Sequence, residues 1–185
     1  MTTKARATIQ DLYDLPDNAP GEIVDGEIVL MSPTGGEPGY AGDEIFVSLR
    51  QYSRRTKRGR AVGDNKAFRV HLATRESFSP DAAFYVGPNP GMKFYEGPPV
   101  FAVEVRSEND YGPRADERIA QKLADYFAAG TIVVWDVDLL SPDVITSYRA
   151  ENPSEPTIFR RGEAASAEPA LPGWSFSVDD LFPEG

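Results

Sequence analysis

The spacing of apolar positions along the chain changes several times, and each change marks an element. Near the N-terminus, Thr8 precedes a short run that fits a capped helix over 9–15, stopped by Pro16. "GEIVDGEIVLM" follows, with Asp25-Gly26 between two EIV runs, a two-residue hairpin signal. In that register Ile23 opposes Ile28 and Val24 opposes Glu27, so Glu22 shares a face with Val24, Glu27 and Val29. "SPTGGEPG" reads as a loop. Ile45, Phe46, Leu49 and Tyr52 then recur at helical spacing over 43–57, with Gly59 as the stop. Strands fit 60–63, 67–73 and 81–86, and "GPNPGMKFYEGPP" is a loop or an exposed hairpin.

The second half is more regular. "VFAVEVRS" alternates as a strand over 100–107. "DERIAQKLADYFAAG" is a helix, with Asp116 near its start, Gly130 as its stop and one stripe of Ile119, Leu123, Tyr126 and Phe127. "TIVVWDVD" is almost continuously apolar, as in a strand covered on both faces. A helix directly between two buried strands predicts a crossover that leaves those strands parallel in one sheet. "DVITSYRA" and "TIFRR" extend the sheet with antiparallel strands, and a short helix over 178–182 closes the chain. The series predicts an α/β (α+β) fold: a mixed sheet flanked by helices, with an N-terminal β-hairpin and C-terminal antiparallel strands. The 185 residues fit one domain, 1–185.

Composition narrows the function classes. There is no Cys, which excludes disulfides and thiolate metal sites. No apolar run approaches the roughly 20 residues of a membrane span, and the N-terminus has no apolar signal core, so a cytoplasmic protein is expected. A net charge of −10 argues against a protein that coats nucleic acid through many phosphate contacts. Yet "RRTKRGR" gathers Arg54, Arg55, Lys57, Arg58 and Arg60, either a solvated helix end or a local phosphate contact.

One strand carries an anomaly. In "VFAVEVRSEND", Glu104 sits between Val103 and Val105. An unpaired buried carboxylate costs several kcal/mol. Alternation places Val100, Ala102, Glu104 and Arg106 on one face. An earlier strand begins "SPDAAFYV", and if the two pair, Asp81 and Glu104 converge at one sheet end. Two adjacent carboxylates repel unless a cation lies between them, and oxygen donors suit Mg²⁺ or Mn²⁺. Lys122 lies about 60° from Ile119 and about 40° from Tyr126 around its helix, at the edge of the buried stripe, within reach of the sheet end. The same spacings also fit blander roles: a Glu104–Arg106 ion pair on a solvated face, Asp81 as a turn residue, and Lys122 as a surface lysine.

The ordered segments "GEIVDGEIVLMSP", "SPDAAFYV", "PPVFAVEVRSENDY", "KLADYFAAGTIVVWDVD" and "LPGWSFSVDDLF" together resemble the Uma-type family of restriction-endonuclease-like proteins, over about residues 12–182. The resemblance implies the P-D…(D/E)-x-K nuclease fold and Mg²⁺- or Mn²⁺-dependent hydrolysis of DNA phosphodiesters, commonly by a homodimer. It implies that Asp81 and Glu104 are metal ligands, that Lys122 is a catalytic lysine relocated from the strand position held here by Arg106, and that Glu22 adds a carboxylate. Many relatives carry a histidine before the first long helix, where this chain reads "EPGYAGDE" with Tyr40. The only histidine, His71, reads as a surface or structural residue. Three functions follow: a metal-dependent DNA endonuclease, a catalytically degenerate nuclease fold acting as a dimeric binding or regulatory module, and a metal-dependent hydrolase of a small phosphorylated substrate.

Overall fold

A computed structural model describes residues 5–183. Helix α1 (Ile9–Tyr13) starts at Thr8, whose hydroxyl accepts from the Asp11 amide while the Asp11 carboxylate accepts from the Thr8 amide. This reciprocal cap satisfies donors that a helix start leaves open. Strands β1 (Gly21–Val24) and β2 (Glu27–Leu30) form the expected hairpin, with Ile23 opposite Ile28 and Val24 opposite Glu27. Asp25 and Gly26 both have positive φ, 51° and 79°, as a tight turn matched to strand twist requires.

Helix α2 (Gly36–Thr56) begins seven residues before the expected start. Pro38 falls in its first turn, where the missing N–H is not needed, so Gly/Pro content that suggests a loop is compatible with helix. The segment "EPGYAGDE" therefore lies inside the helix rather than before it. The helix ends at Lys57, which takes φ 58°, two residues before Gly59.

Strands β3 (Arg60–Gly63), β4 (Phe68–Arg69), β5 (Ser77–Phe78), β6 (Ala82–Tyr85) and β7 (Tyr95–Glu96) follow. The strand expected over 67–73 is only two residues long, because Val70 and Leu72 donate to Glu76 and Arg75 in a local reversal. His71 is exposed there. The Gly/Pro-rich segment contributes β7, which pairs parallel with β4 instead of forming its own hairpin.

Strand β8 (Phe101–Val105), helix α3 (Pro113–Ala129) and strand β9 (Val133–Val137) form the crossover unit, with β8 and β9 parallel. Strands β10 (Ile145–Arg149) and β11 (Thr157–Phe159) continue antiparallel. Strands β12 (Ala164–Ser166) and β13 (Ser175–Ser177) pair with each other before a final helical turn, Val178–Leu181. The main sheet runs β11-β10-β9-β8-β6-β3.

Alternation along β8 sorts the two layers. Phe101, Val103 and Val105 pack with Ile45, Leu49 and Tyr52 of α2 and with Trp174 and Leu181 near the C-terminus. Ala102 faces the other way, onto Tyr126 of α3, with Ala83 and Val134. Each fully buried side chain of this size is worth roughly 1.5–3 kcal/mol. Glu104 is next on the α3 face, at the end of the strand. No described helix is long and apolar enough to cross a membrane.

Candidate active site

Three elements bring charge to the end of β8. The strand presents Glu104 toward α3, and the helix answers one turn apart with Lys122 and Tyr126. Lys122 Nζ donates to Glu104 Oε2 at 2.8 Å, and the Tyr126 hydroxyl donates to Oε1 at 2.6 Å. The Tyr126 ring stacks on Phe78 at 3.9 Å between centroids, which fixes the helix turn that carries both donors. The hairpin supplies Glu22, whose Oε1 lies 3.1 Å from Lys122 Nζ. One ammonium therefore bridges two carboxylates.

A deeper layer holds Glu22. Residue 75 pairs with Val24 in an isolated antiparallel bridge, which brings Arg75 alongside β1. Arg75 donates to Glu22 Oε2 at 2.6 Å and to Asp125 Oδ2 at 2.9 Å, and the Ser79 amide donates to Glu22 Oε1 at 2.8 Å. Asp125 also accepts from Thr74 and Gln121. Glu22, Arg75 and Asp125 are all buried, so their charges are sustained by one another rather than by water.

Asp81 enters from the adjacent strand. Its amide donates to the Val103 carbonyl, and its Oδ2 accepts from the Val105 amide at 2.6 Å, which sets it beside Glu104 at the strand ends. From the other layer α2 approaches closely, since a Cβ at Gly42 would stand 3.5 Å from the Asp81 Cβ. Among the described residues, Asp81 Oδ1 accepts no hydrogen bond.

The electrostatics follow from this packing. Burial first, and the Glu104 charge second, push the Asp81 carboxyl up to about 7, against the opposing pull of the Val105 amide and Lys122. Burial also raises Glu104, with Glu22 adding to it and Lys122 opposing it. For Glu22, burial works upward, but Lys122, Arg75 and the Ser79 amide outweigh it and hold the carboxyl below its usual range. Burial opposes the Lys122 charge, yet Glu104 and Glu22 prevail and raise it, so this lysine acts as a fixed cation rather than as a proton acceptor.

Arg106 is committed elsewhere. It donates through Nε and Nη2 to Asp136 on β9, at 3.0 and 2.7 Å, and through Nη1 to Asp116 at the start of α3. The basic run is also apart from this centre. Arg60 pairs with Tyr85 at one end of the β3–β6 ladder, whereas Gly63 pairs with Ala82, next to Asp81, at the other. Arg54 lies twelve residues beyond Gly42, about 18 Å along α2. Arg54, Arg55, Lys57 and Arg58 are exposed, Arg55 lies over Tyr52, and Arg60 bonds Asn89.

The sequence reading missed Arg75 and Asp125. Asp125 carried no usable signal, because it lies about 100° around α3 from Tyr126, outside the apolar stripe of Ile119, Leu123, Tyr126 and Phe127. Arg75, in the polar run "ATRES", carried none either.

Glu22, Glu104, Lys122 and Tyr126 open onto a cavity of about 380 Å³ between the hairpin and α3. Among the described residues, no group of three or more His, Asp or Glu side chains is arranged to hold a metal. The oxygen donors present still fit a hard divalent ion, which is commonly held by one or two carboxylates with water completing its shell. Asp81 has a free oxygen, and the repulsion between Asp81 and Glu104 is what a cation there would relieve.

A mixed sheet with helices on both faces, and acidic strand ends met by a lysine, is a restriction-endonuclease-like fold. The chain belongs to the Uma2 family, described as "Putative restriction endonuclease", whose model matches residues 9–179. Among solved structures it is similar to "a putative nuclease belonging to DUF820" from Anabaena variabilis ATCC 29413, with a TM-score of 0.72 and 17% identity over 95% of this chain and 97% of that one. No curated protein matches the chain.

Proposed function

We propose that the protein is a divalent-metal-dependent endonuclease that hydrolyses DNA phosphodiester bonds. The observation that carries this reading is the Lys122 ammonium held between Glu104 and Glu22, with Asp81 beside Glu104 on the adjacent strand. Asp81 and Glu104 would hold Mg²⁺ or Mn²⁺, which when bound supplies a Lewis acid and an acidified water. Lys122 offsets charge on a phosphoryl oxygen and orients the attacking water by hydrogen bonding. Tyr126 and Glu22 keep Glu104 and Lys122 in place. Arg106 neutralises Asp136 next to Glu104 and so supports the centre from its flank. The basic run, Arg54, Arg55, Lys57, Arg58 and Arg60, would meet a strand's backbone only beyond the sheet's far end. A cytoplasmic homodimer is part of the same reading, and light scattering measures the dimer.

The test is cleavage of plasmid and single-stranded DNA with Mg²⁺ or Mn²⁺. Asp81→Ala, Glu104→Ala and Lys122→Ala should each abolish it while the circular dichroism spectrum is retained. Cleavage that survives Glu104→Ala sinks the assignment.

A second reading, a non-catalytic binding module, draws on the full occupation of Glu104 by Lys122 and Tyr126. It predicts no divalent-ion heat in calorimetry and no turnover of any phosphodiester. Turnover of nucleotides but not of polynucleotides would instead mark a small-substrate hydrolase.

A further inference from the structure

The cavity beside Glu104 has features that hydrolysis at Glu104 and Lys122 does not use. At about 380 Å³ it lies within the roughly 300–1,000 Å³ typical of small-ligand sites. Val24 and Val29 of the hairpin line it on one side, and Ile119 and Leu123 of α3 on the other. Val29 is 50% exposed, an aliphatic surface left open inside a concave site.

Arg118 also lines this cavity, one helical turn before Lys122 and on the same side of α3. Its situation differs from that of the other cations there. Arg75, Arg106 and Lys122 are each bound to carboxylates. Arg118 has no ion-pair or hydrogen-bond partner among the described residues. A free guanidinium fork suits a phosphate, and an aliphatic slot beside it suits the flat face of a base. Asp25 and Asp110 share the lining and offer acceptors to a base's amino groups.

We infer that this cavity binds one unpaired nucleotide of a DNA strand, with the base between the hairpin and α3 and the adjoining phosphate on Arg118. The inference rests on the nuclease reading and narrows its substrate class to single-stranded or locally unpaired DNA. A base inside a duplex is stacked and must be extruded to enter such a slot. The chain's charge is consistent with this, because gripping one nucleotide does not need the long basic track that a net charge of −10 and a distant basic run fail to provide.

The experiment is fluorescence anisotropy with a labelled 12-mer, single-stranded and as a blunt duplex, in Ca²⁺ to allow binding without turnover. The wild type should bind the single strand at least tenfold tighter. Arg118→Ala should weaken that binding about tenfold and reduce the slope of log K against log salt by about 0.7, the loss of one phosphate contact. Val29→Trp, at an exposed position, should fill the slot and remove the preference for the single strand. Equal or tighter duplex binding, or unchanged affinity in both variants, overturns the inference. Cleavage that needs Glu104 but is indifferent to Arg118 and Val29 overturns it and leaves the nuclease reading standing. A single-strand preference lost in Arg118→Ala, with no cleavage in any metal, supports the nucleotide site and overturns the hydrolytic reading.

Discussion

Replacing Asp81 by Asn should stabilise the fold, and the gain should depend on pH. The side-chain amide keeps an oxygen to accept from the Val105 amide, so the perturbation removes charge and little else. The folded-state carboxyl is raised from the usual 3.8 to about 7, chiefly by burial and then by Glu104. A raised acid binds more protons folded than unfolded between those two values, so stability falls as pH rises through that window. The cost is absent below about pH 3.8, grows between 3.8 and 7, and is complete above 7.

At about 1.4 kcal/mol for each pH unit, the separation sets a ceiling of about 4 kcal/mol. Asp81 is only partly buried, so solvent screening brings the expected gain to about 1–2 kcal/mol at pH 8. That corresponds to a rise of about 2–8 °C in Tm for a chain of this size. At pH 5.5 roughly half of the gain should remain. Urea denaturation of wild type and Asp81→Asn at the two pH values reads the difference as a shift in midpoint at constant slope. A variant that is destabilised at pH 8, or equally stabilised at both pH values, refutes the reasoning.

Three further outcomes follow from the same centre. Added Mg²⁺ should raise the Tm of the wild type at pH 8 by scanning calorimetry, about 1.4 kcal/mol at ten times Kd, and should leave Asp81→Asn unmoved; EDTA should reverse the rise. Arg75→Met strands the buried Glu22 and Asp125 carboxylates and should cost about 3–5 kcal/mol by urea denaturation, with much of the loss recovered in Arg75→Met/Asp125→Leu. Tyr126→Phe removes a charge-assisted hydrogen bond to Glu104 and should cost about 1.5–3 kcal/mol, with the Glu104 carboxyl resonance titrating at higher pH by NMR.

The elements most legible in the sequence are those whose pattern is set by local packing. The hairpin register, the parallel β8–β9 pair and the Gly130 stop are dictated by side-chain period and turn chemistry, and all three are present in the fold. The start of α2 was obscured because the first turn of a helix tolerates Gly and Pro that elsewhere break it. Segment 67–78 was harder to read, because its local reversal of β4 onto β5 is set by distant partners: β4 meets β7, and Val24 meets Arg75. Within the centre, Glu104 and Lys122 were readable from alternation and helical phase. The deeper support from Arg75 depends on a bridge between residues about fifty positions apart, which no local period encodes.

The two cations near Glu104 raise a question that spacing could not decide. Arg106 is two residues along the same strand and shares its face, so the sequence makes it the nearer partner. The sheet shows why it is not. Strand β9 runs parallel beside β8 with Asp136 opposite Glu104, which places a second carboxylate on that face. Arg106 turns its fork to Asp136 and reaches Asp116 with its remaining nitrogen. An arginine suits that flat, two-pronged contact, and a lysine would not replace it. Glu104 is thereby left to the cation that arrives from above, Lys122, a point charge on a flexible stem that can serve Glu22 as well. The division predicts unequal failures. On the proposed mechanism Lys122→Gln should abolish cleavage, because it removes the charge which that mechanism assigns to the phosphoryl oxygen. Arg106→Lys should retain cleavage at a reduced rate, because Asp136 keeps a positive neighbour while losing its fork. If cleavage instead survives Lys122→Gln and is lost in Arg106→Lys, the strand residue is the working cation and the assignment to α3 is wrong.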